Sequence, residues 1–335
     1  MNAYIKGISY YLPEKILSNE DLIKNFPEWT VEKVAGKIGI KQRHIAASKE
    51  TALDMAVAAS NIFFEEYNID KSAIDYILLC TQSPDYFLPA SSCILQDRLG
   101  LPTNCGALDF NQGCSGFVYG LSLAKGLVTG NIAKNILLIT SETYSKHLHP
   151  KDKVNRTIFG DAAAVTLIST EGIAEILNFS FGTDGSGYEN LIVRSGALRT
   201  PGKTNIVKWD EVGNPVSDDF LFMRGTDILN FTLESVPLLI KDVLKKNNYP
   251  KEKIDLFVFH QANKYMLNFL RKKIKIEESK FYYCLENFGN TVSSTIPIAL
   301  KEAKREDKLQ GNILLAGFGV GYSWGGCIIK INDEY

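Results

Sequence analysis

Histidine is scarce in this chain. Only His44, His147, His149 and His260 occur in 335 residues, so few side chains can do acid–base work near neutral pH. Paired cysteines are missing as well. Cys80, Cys93, Cys105, Cys114, Cys284 and Cys327 form no C-x-x-C, and several sit in apolar runs. That pattern speaks against a zinc site or a disulfide framework, and it predicts reduced thiols, no bound metal and a cytoplasmic setting. Positive charge is in no surplus: the formal net charge is −1, which argues against nucleic acid as a partner. No stretch reaches about 18 apolar residues, so no membrane span is expected. The start, MNAYIKGISYYLPEK, lacks the apolar segment of a signal peptide. No G-x-G-x-x-G follows the first predicted strand, which disfavours a bare NAD or FAD module.

What is present alternates. Near-continuous apolar runs read as strands buried on both faces: Ile74–Thr81, Asn135–Ser141, Ala162–Ser169, Ile254–His260 and Asn312–Phe318. Shorter strands are predicted at Ala3–Ser9, Cys105–Phe110, Phe281–Leu285 and Cys327–Ile331, with the glycine-rich Gly317–Gly326 separating the last two, Asn312–Phe318 and Cys327–Ile331. Between them, helical spacing marks Thr51–Glu66, Ser91–Leu99, Asp227–Asn247, Asn263–Ile274 and Val292–Arg305. Lys203–Asp219 is polar and turn-rich, a surface excursion. Alternating strands and helices predict an α/β fold with a largely parallel sheet.

The order repeats. Asn135-Ile-Leu-Leu returns 177 residues later at Asn312, and Ile74-Asp75 returns 180 residues later at Ile254-Asp255. The turn around Cys114 matches the turn around Asn290. Matches at nearly one offset predict an internal duplication, with halves 1–170 and 171–335 packed so that corresponding turns meet.

Three polar groups then fall at strand ends, where open α/β sheets bind ligands. Cys114 stands between Gly113 and Ser115-Gly116, where a strand turns into a helix. A helix start favours a thiolate, and small neighbours would let a substrate approach the sulfur. A buried structural cysteine satisfies the same pattern. His260 ends the run IDLFVFH, and Asn290 ends the turn ENFGN. Singly, these fit a hydrogen-bonded core histidine and a turn asparagine. Together they make a nucleophile, a base or donor, and an amide donor.

With GCSGF at Cys114, FGDAAA at Phe159–Ala164, HQAN at His260–Asn263, ENFGNTVSSTIP at Glu286–Pro297 and GFGVGYSWGG at Gly317–Gly326, the sequence resembles β-ketoacyl-acyl-carrier-protein synthase III, of the thiolase fold. The resemblance runs from LPEKILSNEDL almost to the C-terminus. It implies a duplicated five-layered αβαβα core and a homodimer, with Cys114, His260 and Asn290 as the catalytic triad. It implies acyl-CoA and malonyl-acyl-carrier protein as substrates and no cofactor. Cys114 would take the acyl group, and the His260 Nε2–H and the Asn290 amide would donate to the enolate formed on decarboxylation. The main-chain N–H groups of Cys114 and of Gly319–Val320 would bind the other oxyanion. Trp29 resembles the tryptophan that stacks on the CoA adenine, while the family's arginines there read as Lys33 and Lys153. Gln261, Lys264, Arg271, Lys272 and Lys273 would face the acidic carrier protein. Leu88, in DYFLPAS, matches a position that reaches into the partner subunit's acyl pocket.

The near rivals differ by single features. A thiolase would place a second cysteine near Tyr322-Ser323-Trp324, a hydroxymethylglutaryl-CoA synthase a glutamate near Thr81-Gln82-Ser83, and an elongating synthase a histidine at Asn290. A specialised member that primes a polyketide or surface-lipid route, or that only transfers acyl groups, shares the triad. A non-catalytic partner subunit would have no use for it.

Overall fold

The computed structural model describes all residues except 25, 27, 28 and 333–335; the side chain of Lys33 also lies outside the described set. Nine strands form the main sheet: β1 (Tyr4–Tyr11), β2 (Tyr76–Cys80), β3 (Gly106–Phe110), β4 (Ile136–Glu142), β5 (Ala162–Ser169), β6 (Ala174–Thr183), β7 (Leu256–Phe259), β8 (Asn312–Gly319) and β9 (Ser323–Ile331). Eight helices accompany them: α1 (Asn19–Ile23), α2 (Val31–Ile38), α3 (Ala52–Tyr67), α4 (Ser91–Leu99), α5 (Gly116–Thr129), α6 (Gly225–Asn247), α7 (Lys264–Ile274) and α8 (Thr295–Arg305).

The strand order, β7-β8-β9-β6-β1-β5-β4-β2-β3, is nearly palindromic about the β6–β1 junction. That junction is narrow, with only Tyr4 opposite Glu175 and Ile5 opposite Ala174. Outward from it, β1/β5 and β5/β4 pair antiparallel, then β4/β2 and β2/β3 parallel. The other side repeats this: β6/β9 and β9/β8 antiparallel, β8/β7 parallel. Where a fifth strand would follow, Phe281 alone bridges Phe257 in parallel, so the strand expected at Phe281–Leu285 is reduced to one residue pair.

The repeated sequence pairs have a physical job. Asp75 accepts from the main-chain N–H groups of Lys134 and Asn135, and the Asn135 amide donates to Ala73 O. In the second half Asp255 accepts from the Asn312 N–H, and the Asn312 amide donates to Lys253 O. Each Ile-Asp and Asn-Ile-Leu-Leu pair thus fastens the start of one parallel strand to its neighbour. Glutamine in place of either asparagine would misplace the side-chain bond, while the main-chain bond to the aspartate does not depend on the side chain.

Burial follows the layers. Ile77, Leu79, Leu137 and Ile139 pack outward beneath α3 and α4, while Leu78, Ile136 and Leu138 pack inward on α5. Ile313 and Leu315 join that inner core with Ile296 and Leu300 of α8, and Leu314 and Ala316 face α6 and α7. Helices α5 and α8 therefore form a middle layer between two half-sheets, which gives the αβαβα order. Alternate residues of each central strand enter different cores, which is why the runs read as continuously apolar. Truncating such a residue to alanine costs about 2–5 kcal/mol.

Three further features depart from the sequence expectation. The sheet is mixed and not largely parallel: five of its adjacent pairings are antiparallel and three, β4/β2, β2/β3 and β8/β7, are parallel, because connections as short as that between β8 and β9 leave no room for a crossover helix. Strand β6, AEILNFSFGT, alternates Leu177, Phe179 and Phe181 with Asn178, Ser180 and Gly182 and is a strand that the reading passed over. The glycine-rich segment is no long loop: β8 runs to Gly319 and β9 resumes at Ser323, leaving a three-residue turn. Among the described residues no helix is long and apolar enough to cross a membrane.

Candidate active site

The duplication brings the three strand-end groups to one place. Cys114 lies between β3 and α5, His260 follows β7, and Asn290 precedes α8. All three line one cavity of about 490 Å³. Its wall is mainly apolar, and Trp29, Lys37, Val154 and Tyr265 stand at the exposed end. Cys114, His260 and Asn290 are 6%, 2% and 4% exposed, so they occupy the closed end.

The Cys114 thiol is pushed up to about 12, first by burial and then by the charge of Glu142, against the pull of the N–H groups of Cys114 and Val320. Burial wins over the helix end, and the resting group is a thiol rather than the expected thiolate. The two N–H groups that oppose the shift face the sulfur, one from each half of the fold. The glycines around the cysteine serve packing more than access. A Cβ on Gly113 would meet Val320 and Gln82, and one on Gly116 would meet the Cys80 sulfur. A Cβ on Gly319 would lie 3.0 Å from the Cys114 Sγ. Substrate approach is left to the cavity side.

His260 is anchored by its own N–H to Ala316 O at 2.8 Å. Its Nδ1 lies 2.8 Å from Thr295 Oγ1, whose hydroxyl donates to Val292 O at 3.0 Å. A hydroxyl has one hydrogen, so with it on Val292 the ring proton sits on Nδ1. In that arrangement Nε2 offers a lone pair toward Asn290 Nδ2 at 3.5 Å; with the Thr295 hydroxyl turned onto Nδ1 instead, the ring carries the Nε2–H expected of the sequence. Burial pulls His260 down to about 3, so the ring is neutral at physiological pH. Asn290 is fixed as a donor: its Oδ1 accepts from the Val292 N–H at 2.9 Å, leaving Nδ2 free to face the ring and the cavity. Val292 achieves this at φ 55°, a left-handed conformation that a β-branched residue seldom takes. Strain of that kind is worth about 1–3 kcal/mol and concentrates at functional sites.

Behind the cysteine lies Glu142, a residue that the sequence reading missed. It ends the apolar run of β4 as His260 ends that of β7, and that shared position was the available signal. Fully buried, it accepts from the Gln82 N–H and the Ser83 hydroxyl, and burial pushes it up to about 8. A carboxyl raised in the folded state holds its proton better there than in the unfolded chain. Its contribution therefore favours folding at low pH and is lost as pH climbs from about 4.5 to about 8. The cost of ionising it is on the order of 5 kcal/mol. Glu142→Gln removes the charge, keeps an acceptor for the Gln82 N–H, and keeps the Ser83 contact by reversing it, with the amide Nε2–H donating to the Ser83 oxygen. It should raise the melting temperature at pH 8 by several degrees and flatten the decline between pH 5 and 8; an unchanged slope would assign that decline to other groups.

The remaining expected residues divide. Trp29 lines the cavity, as does Lys37 of α2, one helical turn beyond Lys33 and unremarked in the sequence reading. Lys153 does not line it; its N–H is held by the Asn214 side chain. Lys33 is outside the described side chains. Lys264, Lys272 and Lys273 are exposed on α7. Arg271 is not on that rim: its guanidinium turns back to Glu278 at 3.2 Å and to Ile276 O, with 14% of the side chain exposed. Gln261 is also inside. Its amide donates to Phe259 O and Tyr282 O and accepts from the Cys284 N–H, stitching β7 to the segment after Phe281. Leu88 is 82% exposed, next to Tyr86 and Phe87 at 61% and 76%.

Known proteins match nearly the whole chain. Residues 108–185 match the family described as 3-Oxoacyl-[acyl-carrier-protein (ACP)] synthase III, and residues 244–331 match its C-terminal counterpart. A beta-ketoacyl-[acyl-carrier-protein] synthase III of Clostridium perfringens (strain ATCC 13124) is 36% identical over 333 residues, 98% of this chain and 99% of that one. A crystal structure of a 3-oxoacyl-(acyl-carrier-protein) synthase III superposes with a TM-score of 0.96 at 46% identity, covering 99% of this chain and 100% of the other. A 3-oxoacyl-(acyl-carrier-protein) synthase structure from Burkholderia xenovorans LB400 gives 0.89 at 34% identity, covering 99% and 94%. On its full-length sequence identity, its duplicated sheet and its shared cavity, the chain belongs to the 3-oxoacyl-[acyl-carrier-protein] synthase III family of the thiolase superfamily.

Proposed function

We propose that the protein joins an acyl group from acyl-CoA to malonyl-acyl-carrier protein with loss of CO₂, the step that initiates a fatty-acid or related acyl chain. The observation that carries this reading is the opening of Cys114, His260 and Asn290 onto one apolar cavity. In the first half-reaction the Cys114 sulfur attacks the thioester carbonyl, its oxyanion accepts from the N–H groups of Cys114 and Val320, and CoA leaves as the thiol with the proton that the cysteine loses. In the second, malonyl thioester loses CO₂ at the same cavity. The enolate oxygen accepts from Asn290 Nδ2, and from His260 when the Thr295 hydroxyl turns onto Nδ1 and the ring proton sits on Nε2. The enolate carbon attacks the acyl-Cys114 carbonyl, the C–S bond breaks, Cys114 leaves as the thiolate and takes a proton from solvent to return to the thiol, and the 3-oxoacyl product departs on the carrier. Residues 1–170 supply the nucleophile and 171–335 the two donors. Trp29 and Lys37 at the cavity mouth suit the adenine and phosphates of CoA.

Intact-protein mass spectrometry tests this directly. Incubation with a panel of acyl-CoAs should add the acyl mass, and malonyl-acyl-carrier protein should then remove it with release of CO₂. Acyl loss to the carrier without CO₂ release would leave a pure acyltransferase, and no acyl mass at all would fit a non-catalytic subunit.

The carrier protein is acidic, and the face beside the cavity mouth combines Lys37, Lys264 and Lys272 with the tilted ring pair Tyr265–Phe269, centroids 4.7 Å apart. Reversing charge at Lys272 and Lys273 should raise the KM for the carrier about tenfold and leave acylation by acyl-CoA alone. An unchanged KM would return that face to simple solvation.

The chain is proposed to work as a cytoplasmic homodimer, where its six free cysteines stay reduced. Strand β3 is at a sheet edge with Leu108 44% exposed, and the Tyr86–Leu88 tip stands bare beside it in sequence order. A second copy would cover both and receive Leu88 in its acyl pocket. Sedimentation equilibrium should give twice the chain mass; a monomer mass with full activity would remove Leu88 from the pocket.

A further inference from the structure

We infer that Ser323 is a positioning residue that fixes the two main-chain N–H groups, of Cys114 and Val320, at the spacing the acyl oxyanion needs. The inference rests on the proposal that these groups form the oxyanion hole. They come from different halves of the duplication, one after β3 and the other after β8, and no covalent link shorter than the whole intervening chain sets their distance. A separate tether is therefore required.

Ser323 supplies it. Its Oγ lies 2.6 Å from Ser115 Oγ, 3.1 Å from Gln112 Oε1 and 3.2 Å from Val320 O. Ser115 Oγ in turn lies 3.4 Å from Gln112 Oε1. Ser115 is the residue after Cys114, and Gln112 is two before it. The Ser323 hydroxyl thus meets the cysteine turn through Ser115, from which it can accept, while its single hydrogen goes either to Gln112 on that turn or to Val320 O on its own side. Ser115 and Ser323 are 1% and 3% exposed, so water does not compete for these bonds. The two hydroxyl hydrogens have two acceptors to choose from besides each other's oxygen, Gln112 Oε1 and Val320 O, and Ser323 participates in every one of these bonds that links the halves.

The tolerance at this point is small. Gly319 already sits where a Cβ would be 2.9 Å from the Cys114 Cβ, and Gly317 where one would be 2.9 Å from Cys114 O. With β8 in contact with the nucleophile's own atoms, a shift of a few tenths of an ångström changes the reach of the Val320 N–H to a substrate oxygen. Preorganised donors lose their effect when so displaced. His260 and Asn290 stand on separate segments with their own tethers through Thr295 and Val292. Loss of the Ser323 hydroxyl should therefore weaken acyl transfer and spare decarboxylation of the malonyl thioester.

The test reads the infrared stretch of a ¹³C-labelled acyl carbonyl on Cys114. In the wild type it should fall below that of the free thioester, because two N–H groups polarise it. Ser323→Ala should move it back toward the free value, slow acylation by 10–100-fold, and leave malonyl decarboxylation by the unacylated enzyme within threefold. Ser323→Thr should restore both signals, and Ser115→Ala should move the stretch in the same direction as Ser323→Ala, which covers the case in which the latter fails to fold. A wild-type stretch equal to that of the free thioester would overturn the oxyanion hole itself. A lowered wild-type stretch that Ser323→Ala and Ser115→Ala leave in place would overturn the role of Ser323 alone, as would a parallel loss of both half-reactions.

Discussion

Cys114→Ser should end acylation by acyl-CoA, lowering it by at least ~10³-fold. The cavity offers the incoming thioester one sulfur nucleophile at its closed end, with the Cys114 and Val320 N–H groups beside it. A serine hydroxyl there would be buried, far less acidic than a thiol, and a poorer leaving group when the carbanion attacks. Cys80 cannot stand in: its sulfur donates to Gln112 O beneath the start of α5 and is fully buried. Intact mass after incubation with acyl-CoA should show the acyl increment on the wild type and none on the variant. An acylated serine, or unchanged turnover, would sink the assignment. The same burial predicts the pH behaviour of the wild type. With the thiol held up to about 12, alkylation by iodoacetamide should keep rising through pH 7–10 without a plateau, because the thiolate fraction grows across that whole interval. A plateau near pH 7 would mean that the helix end outweighs burial after all.

Much of this site could be read from the chain before any coordinates. Strands β2, β4, β5, β7 and β8 announce themselves because both faces are buried, so every residue is apolar and the run ends abruptly in a polar group. His260, after β7, lines the cavity; Glu142, at the end of β4, stands behind the cysteine, and Cys114 itself follows the shorter β3. The repeated Ile-Asp and Asn-Ile-Leu-Leu pairs were legible because one pattern of hydrogen bonds, used twice, demands the same residues twice. What stayed hidden depends on contacts between the halves. Ser323 is an ordinary serine in sequence, and only its meeting with Ser115 across 208 positions gives it a task. Arg271 and Gln261 read as rim residues because their types are surface types, yet the first turns back on Glu278 and the second is consumed by main-chain groups. The thiolate expected at Cys114 was an argument from the helix end alone. The depth of burial that reverses it is a tertiary quantity, set by β8 closing over the sulfur.

The sharpest separation between the two half-reactions is expected at His260 and Asn290. His260→Ala and Asn290→Ala should each leave acyl-enzyme formation within a few-fold of wild type and lower malonyl decarboxylation by roughly 10²–10³-fold, the usual loss for one oxyanion donor. The direction follows from placement. Asn290 cannot take up a proton, and its carbonyl oxygen is spent on the Val292 N–H, so Nδ2–H is all it offers the cavity. His260 is held neutral by burial, about 3 against its ordinary 6.5. A neutral ring lends a hydrogen bond without adding a charge, so the decarboxylation rate should be flat from pH 5 to 8, and a limb near 6.5 would mean that the ring titrates freely. Asn290→Asp should be worse than Asn290→Ala, because a carboxylate beside a developing enolate repels it while alanine only leaves it unserved. Release of labelled CO₂ from malonyl thioester, measured beside acyl-enzyme yield by mass, distinguishes the cases. Equal loss of both half-reactions in either alanine variant would make the residue a support for the cavity wall instead of a donor to the enolate.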